Sequence, residues 1–303
     1  MIGLLFILLV LLAISGAGYY FARIIIYPRV HPYQYTYEHE VEEGKISEPD
    51  FAALPRQEIH LRSPFGYDLF GIYIPQAGAT RTVVLAHGIT WSLYGMVKYM
   101  WMFHRRGFNL LLYDHRNHGR SGGKNTTFGF YEKHDLKVMV DWAFAQLPEG
   151  GTVGTMGESL GAATALQEAA LDPRLSFVVA DCPFSDFEAL VIYRASQDYP
   201  FLPGRILAKI ASQFTFALSG FRLADARPIA RLGEVKTPIL FCHGQQDDYI
   251  PPQMSVEMHR AKTQGLARLY LAPNAKHAQA LWNNQEEYDR VVGAFLDEVY
   301  QAN

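Results

Sequence analysis

The sequence predicts an α/β fold, with a mainly parallel sheet and helices on both of its faces. Three observations predict it. From about residue 56 to the C-terminus, apolar runs of strand length alternate with amphipathic stretches of helix length. Several of the strand runs, such as "TVVLAHG" and "FNLLLYDHR", are almost continuously apolar, as strands buried on both faces are. In "GTMGESLGAAT", a serine framed by two glycines stands where one such strand gives way to a small-residue helix.

The N-terminus lies outside that pattern. Residues 2–22, "IGLLFILLVLLAISGAGYYFA", carry no charge. At about 1.5 Å per residue, such a run can cross a hydrocarbon core of about 30 Å. Tyr19 and Tyr20 stand near one end, where aromatic side chains collect at membrane interfaces. A cleaved signal peptide is the competing reading, and "SGAG" would offer a cleavage site. Against it, no Lys or Arg precedes the run, and the run exceeds the usual apolar region of about 7–15 residues. Residues 1–27 therefore read as a single-pass membrane anchor. Arg23 and Arg29 follow the segment, and the positive-inside rule then leaves the bulk of the chain in the cytoplasm. Residues 28–55 read as a connector, in which "HPYQYTYEHE" alternates aromatics as a short strand or a stem lying on the body would. The body, 56–303, is expected to be soluble and active without residues 1–27.

In the body, "QEIHLRS" and "YDLFGIYIP" alternate like antiparallel strands joined through "PFG". "TVVLAHG", "FNLLLYDHR", "GTVGTMG", "LSFVVADCP", "TPILFCHG" and "ARLYLAP" then read as strands. Between them, "GMVKYMWMFHRRG", "EKHDLKVMVDWAFAQLP", "SLGAATALQEAALD" and "PPQMSVEMHRAKT" read as helices, and "QEEYDRVVGAFLDEVYQ" closes the chain as another. Residues 186–232 break the rhythm with two or three helices and no strand. An insertion there sits over the strand ends where parallel sheets bind ligands, so it reads as a helical lid.

Composition narrows the function classes. The chain has 303 residues, 49% hydrophobic and 19% charged, with a net charge of −3. That suits a globular body with a sizeable core and lacks the basic excess of a nucleic-acid binder. Cys182 and Cys242 sit inside apolar runs and read as buried thiols rather than a disulfide or metal framework.

Gly-x-Ser-x-Gly at a strand–helix junction is the pattern of a nucleophile elbow, which makes Ser159 the candidate nucleophile. A serine hydroxyl needs a base and an orienting acid. On this type of sheet the acid follows the serine and the histidine comes last. Eight of the eleven histidines precede Ser159. His243 lies at a strand end before the expected acid, and His259 lies inside a helix. His277, in the loop "NAKHAQAL" before the last helix, is left as the base. For the acid, "HGQQDDYIPP" offers both Asp247 and Asp248. The N–H of Leu160, directly after the serine, is a candidate oxyanion donor.

With "VVLAHGIT", "YDHRNHGRSGG", "GESLGA", "CHGQQDDYIP" and "AKHAQ", the chain resembles the α/β-hydrolase superfamily. The resemblance is to its esterase/thioesterase-like branch, which includes bacterial membrane-anchored and α/β-hydrolase-domain proteins. It covers nearly everything from about residue 56 onward and implies an eight-stranded type of sheet. The motif register from His243-Gly244 to Ile250-Pro251 implies Asp247 as the acid. The loop after "TVVLAHG" implies Ile89 as the second oxyanion donor, with Thr90 as the alternative. His87 and the cluster Asp114, His115 and His118 are implied to shape loops rather than to bind metal. Glu158 reads as a structural contact, and Glu132 and Asp135 as helix-start carboxylates. No cofactor and no metal are expected. The expected reaction is hydrolysis of a carboxylic ester or thioester through an acyl-enzyme, on a small-molecule or lipid-like acyl substrate. Peptidase or lipase action on the same residues, and a tethered binding protein without catalysis, are the competing functions.

Overall fold

The computed structural model describes residues 2–301. Strands β1 (Gln57–Arg62) and β2 (Asp68–Ile74) pair antiparallel across a turn in which Gly66 takes a φ of 85°, open to glycine at no steric cost. Strands β3 (Arg81–Ala86), β4 (Asn109–Tyr113), β5 (Thr152–Glu158), β6 (Val178–Asp181), β7 (Ile239–Gly244) and β8 (Ala267–Ala272) follow. All eight form one sheet in the order β1-β2-β4-β3-β5-β6-β7-β8. β2 is antiparallel to both its neighbours, and the remaining pairs are parallel. The chain steps outward from β3 to β4 and then returns past β3 to β5. This reversal sets the C-terminal ends of β3 and β5 side by side, with Ala86 opposite Gly157. The loops leaving those two strands diverge at a switch point, where sheets of this kind bind ligands.

In chain order the helices are α1 (Ile2–Ile26), α2 (Tyr33–Glu42), α3 (Glu48–Ala53), α4 (Val97–His104), α5 (Glu132–Ala145), α6 (Leu160–Ala169), α7 (Phe187–Asp198), α8 (Gly204–Ser219), α9 (Gln253–Ala261), α10 (Ala280–Asn283) and α11 (Gln285–Gln301). The central strands are apolar on both faces, so both faces must be covered. Phe103, Phe108, Phe177, Tyr288 and Phe295 fill one side, between the sheet and α4 and α11. Leu136, Met139, Leu166 and Met258 fill the other, under α5, α6 and α9. A third cluster caps the C-terminal strand edge. It joins Phe128, Leu160, Phe184, Phe187, Leu190, Ala208 and Ile250, and it includes Ile26 from the end of α1.

Helix α1 is divided along its length. Residues 2–16 are exposed all round. From Gly18 onward a stripe of Gly18, Ala22 and Ile26 is buried, at the spacing of one helical face. Gly18 lies against α8, where an added Cβ would overlap the Ile210 side chain. The N–H of Thr126 donates to the Ile26 carbonyl at 2.9 Å. These contacts alter the expectation that the body is self-sufficient. Deleting residues 1–27 would uncover α8 and remove part of the third cluster.

The segment 28–55 takes the second of its two sequence readings, a stem lying on the body. Its alternating aromatics form a helix, α2, and not a strand. Tyr33, Tyr37 and Val41 repeat every four residues and pack on the core beside Tyr94. Tyr35 faces the opposite way, stacked between His31 and His39. A period of two over five residues is equally a period of four on one helical face, and packing decided between them.

Candidate active site

Strand β5 hands over to α6 at Ser159, whose φ of 55° and ψ of −110° lie outside the regions L-residues favour. Such a residue costs on the order of 1–3 kcal/mol and persists only where its surroundings dictate it. Here the Ser159 N–H donates to the Asp181 carbonyl at 2.8 Å, and the Ser159 carbonyl accepts from Ala163 N–H at 3.0 Å. The flanking glycines leave no alternative path. A Cβ at Gly157 would overlap the backbone of Gly161, and a Cβ at Gly161 would overlap the Ala86 carbonyl in β3. The turn thus presses α6 onto the sheet and sets Ser159, 5% exposed, at the floor of a cavity.

His277 stands in the loop between β8 and α10. Its Nε2 lies 3.0 Å from Ser159 Oγ and its Nδ1 lies 2.7 Å from Asp247 Oδ2. The loop is pinned from outside: Asn283 and Asn284 donate to the carbonyls of Asn274 and Pro273 at 2.7 and 3.0 Å. Asp247 follows β7 with its carboxylate buried. Its Oδ1 accepts the N–H groups of Tyr249 and Ile250, both at 2.9 Å. Its Oδ2 faces His277 and also His243 Nε2, at 3.1 Å. Burial alone would raise the pKa of Asp247. The hydrogen bonds from His243 and His277 reverse this and hold it well below the usual carboxylate range. An ionised Asp247 fixes the His277 proton on Nδ1 and leaves the Nε2 lone pair for the Ser159 hydroxyl. Asp248 takes no such place. Among the described residues only its backbone carbonyl is engaged, by Tyr193 and Arg194.

His243 is the partner that chain order could not reveal. Its Nε2 faces two oxygens, Asp247 Oδ2 and the Ile250 carbonyl at 2.9 Å, so Nε2 carries the proton and Nδ1 accepts from Ser255 Oγ at 2.7 Å. The one cluster of metal-ligating atoms among the described residues, Cys182, Asp247 and His277 within 4.8 Å, falls on this same site. Both oxygens of Asp247 are already met by two donors each, so the carboxylate has no lone pair free for a cation.

Ile89 and Leu160 both line the cavity at Ser159. Among the described residues no acceptor engages either backbone N–H. Thr90 differs: its N–H donates to His118 Nε2 at 3.1 Å, so it is spent on the loop. His87 and His115 serve the same loop. His87 Nε2 accepts the His115 N–H at 3.0 Å, and burial pushes the His115 pKa down to about 3. Asp114 accepts the N–H groups of Leu93 and Arg120, both at 2.8 Å. Asp114→Ala would orphan these two donors at once and is expected to lower stability by about 2–4 kcal/mol, readable as a reduced melting temperature of the detergent-solubilised protein.

Glu132 and Asp135 turn out to be more than helix-start charges. Glu132 accepts the N–H groups of Thr127 and Gly129, and Asp135 accepts the hydroxyls of Ser63 and Tyr67. Under the elbow lies a buried polar network. Lys98 Nζ pairs with Glu158 at 2.6 Å, and Tyr99 Oη bridges Glu158 and Asp181 at 2.8 and 2.9 Å. Burial, then the nearby Glu158, pushes the Asp181 pKa up to about 6.

The cavity above Ser159 measures about 530 Å³. Its walls come from three sources: Phe21, Ile24 and Ile25 of α1, Leu190 and Val191 of α7, and Ala208 and Ala211 of α8, among others. Nothing in the sequence marked α1 as a wall, because a lipid-facing stripe and a protein-facing stripe have the same apolar composition.

Comparison with known proteins supplies context. Residues 31–202 match the family model described as X-Pro dipeptidyl-peptidase (S15 family). The uncharacterized protein YqkD of Bacillus subtilis is 33% identical over 287 residues, covering 94% of this chain and 93% of its own length. An uncharacterized protein of Mycobacterium tuberculosis is 25% identical over 225 residues, covering 73% and 72%. Among solved structures, the Pyrococcus furiosus esterase Pf2001 superposes with a TM-score of 0.66 at 23% identity, covering 84% of this chain and 94% of its own. The α/β hydrolase GrgF of a Penicillium species superposes with a TM-score of 0.64 at 17% identity, covering 81% and 99%. At these identities the structural likeness speaks for the fold.

Proposed function

The chain belongs to the X-Pro dipeptidyl-peptidase (S15) family within the α/β-hydrolase superfamily, and from that premise we propose that it is a serine hydrolase cleaving carboxylic ester or thioester bonds. The observation that carries the proposal is the unbroken hydrogen-bond sequence Ser159–His277–Asp247 at the elbow. In this reading Ser159 Oγ attacks the carbonyl carbon while His277 Nε2 takes its proton. The N–H groups of Ile89 and Leu160 receive the developing oxyanion. His277 returns the proton to the leaving alcohol or thiol, and an acyl-enzyme remains. Water, deprotonated by the same nitrogen, then releases the acid and restores the serine. Asp247 stays ionised throughout and stabilises the imidazolium that forms at each step.

The cavity favours esters over dipeptides. A peptide's N-terminal ammonium needs a carboxylate to meet it. Among the described residues one acid, Asp198, stands on the cavity wall, and it is already paired with Arg194 at 2.6 Å. The rest of the wall is mostly aliphatic and aromatic, suited to an acyl chain. The esterase activity in the name of the Pyrococcus furiosus protein agrees with this reading.

A fluorophosphonate probe tests the proposal. The wild type is expected to be labelled covalently and Ser159→Ala to be silent. Unlabelled but folded wild type would leave a tethered binding protein as the surviving reading.

A further inference from the structure

We propose that the substrate is a lipid ester held in the membrane leaflet, whose acyl chain reaches Ser159 by passing along α1, with the anchor helix itself forming one wall of the acyl site. This inference rests on the serine-hydrolase reading and extends it to a substrate class.

The argument begins with lengths. A hydrocarbon core of about 30 Å is spanned by about 20 helical residues. Counted from Ile2, that distance ends near Phe21. Yet the freely exposed part of α1 stops at residue 16. Within Ala17–Phe21, Gly18 and Tyr19 already pack on Ile210 and Phe214 of α8 and Phe21 meets Tyr199, so a bilayer thick enough to bury this stretch also reaches the lid helices. The aromatic residues agree with this level. Tyr19 and Tyr20 stand where an interfacial belt is expected, and the Phe21 ring meets Tyr199 with centroids 5.2 Å apart.

Tyr199 begins the turn between α7 and α8, and that turn and the start of α8 present apolar side chains to the outside. Phe201 is 97% exposed and Ile206 56% exposed. An isolated exposed apolar residue needs no explanation, but a cluster beside a membrane-spanning helix does. The occupant that fits is the bilayer, because Tyr199, two residues before Phe201, packs its ring on Phe21 of the apolar helix α1. A soluble partner would have to share this surface with lipid head groups.

The cavity starts at the same level. Phe21, Ile24 and Ile25 carry its wall from the interface inward, Ala208 and Ala211 oppose them from α8, and Ser159 closes the far end. The route from leaflet to nucleophile is therefore lined mostly by apolar side chains, with Arg29 and the Arg194–Asp198 pair as charged exceptions. Its volume, about 530 Å³, is within the about 300–1,000 Å³ usual for ligand sites and suits one acyl chain.

The test uses the full chain in phosphatidylcholine nanodiscs, with two substrates: water-soluble 4-nitrophenyl acetate, and a long-chain monoacyl ester of a fluorogenic alcohol dissolved in the bilayer. Phe201→Ser with Ile206→Ser alters only side chains outside the cavity wall. The double variant is expected to keep acetate turnover within about twofold and to lose at least about tenfold on the bilayer substrate, the scale of removing one or two large apolar contacts with lipid. Gly18→Val, which forces α1 away from α8, is expected to flatten the preference for long acyl chains. Turnover of the embedded ester unchanged from wild type in both variants would overturn the proposal, as would a wild type that hydrolyses acetate but not the embedded ester. In either case, fluorophosphonate labelling of Ser159 would leave the hydrolase reading standing. Loss of labelling in the wild type would bring down both.

Discussion

His277→Ala is expected to lower kcat by about 10⁶-fold, and Asp247→Asn by about 10⁴-fold, on any ester the enzyme hydrolyses. Asp248→Asn is expected to change it by less than about twofold, the scale of a surface substitution. The spread follows from geometry. His277 is within reach of the Ser159 proton, and among the described residues no other base is hydrogen-bonded to that hydroxyl. Asp247 acts one bond further back. With Asn at that position, Nδ2 would face the two N–H groups of His243 and His277 or the two backbone N–H groups, and the imidazole would be free to carry its proton on the wrong nitrogen. Asp248 is one residue away, yet its carboxylate takes no part in the chain of hydrogen bonds. Steady-state rates for the three variants settle the register. If Asp248→Asn produced the large loss, the assignment of the acid would be wrong by one position. The same contacts give a pH signature. Because the folded-state pKa of Asp247 lies below its ordinary value, its contribution to stability is present above about pH 4 and is lost as the pH falls. Urea midpoints of the wild type are expected to drop more steeply below pH 4 than those of Asp247→Asn.

Gly161→Ala is expected to be the most damaging single methyl group in the body. Overpacking usually costs about 1–3 kcal/mol, because a side chain or a loop can yield. Here the added carbon would meet the carbonyl of Ala86 in the central strand β3, which is held in the sheet on both sides by β4 and β5. Relief requires α6 to lift off the sheet, and α6 is buried along its whole length. Lifting it also moves Leu160 and the Ser159 turn. The expected outcome is a stability loss above the usual range together with loss of probe labelling in whatever protein remains folded. Circular dichroism melting and fluorophosphonate labelling of Gly161→Ala check both. Gly3→Ala, where an added Cβ meets nothing, is the matched control.

Much of the site could be read from the chain because it is encoded locally. Ser159, Gly157 and Gly161 lie within five residues, and the strand and helix on either side have clear patterns. The order of nucleophile, acid and base along the sheet then singled out His277. Asp247 over Asp248 needed the motif register, since two adjacent carboxylates look alike without knowing which one the turn buries. What stayed hidden depends on contacts between distant segments. His243 supports Asp247 only because residues 243–250 fold back on themselves. Lys98 and Glu158 pair across sixty positions of sequence, and composition alone predicts no such pair. Thr90 could not be separated from Ile89 before His118 was seen to take its N–H. The α2 segment stayed open between strand and stem because aromatic alternation over so short a span fits either period.

The packing of α8 against α1 also bears on how the site can open. A lid is ordinarily pictured as a flap swinging over a stationary enzyme. Here the flap is moored to the one helix that a bilayer would hold upright, through Gly18 and the stripe that follows it. A bilayer that held α1 would thereby hold α8 as well, and the Thr126 N–H on the Ile26 carbonyl ties the body to the same helix, so lid and body would share one mooring.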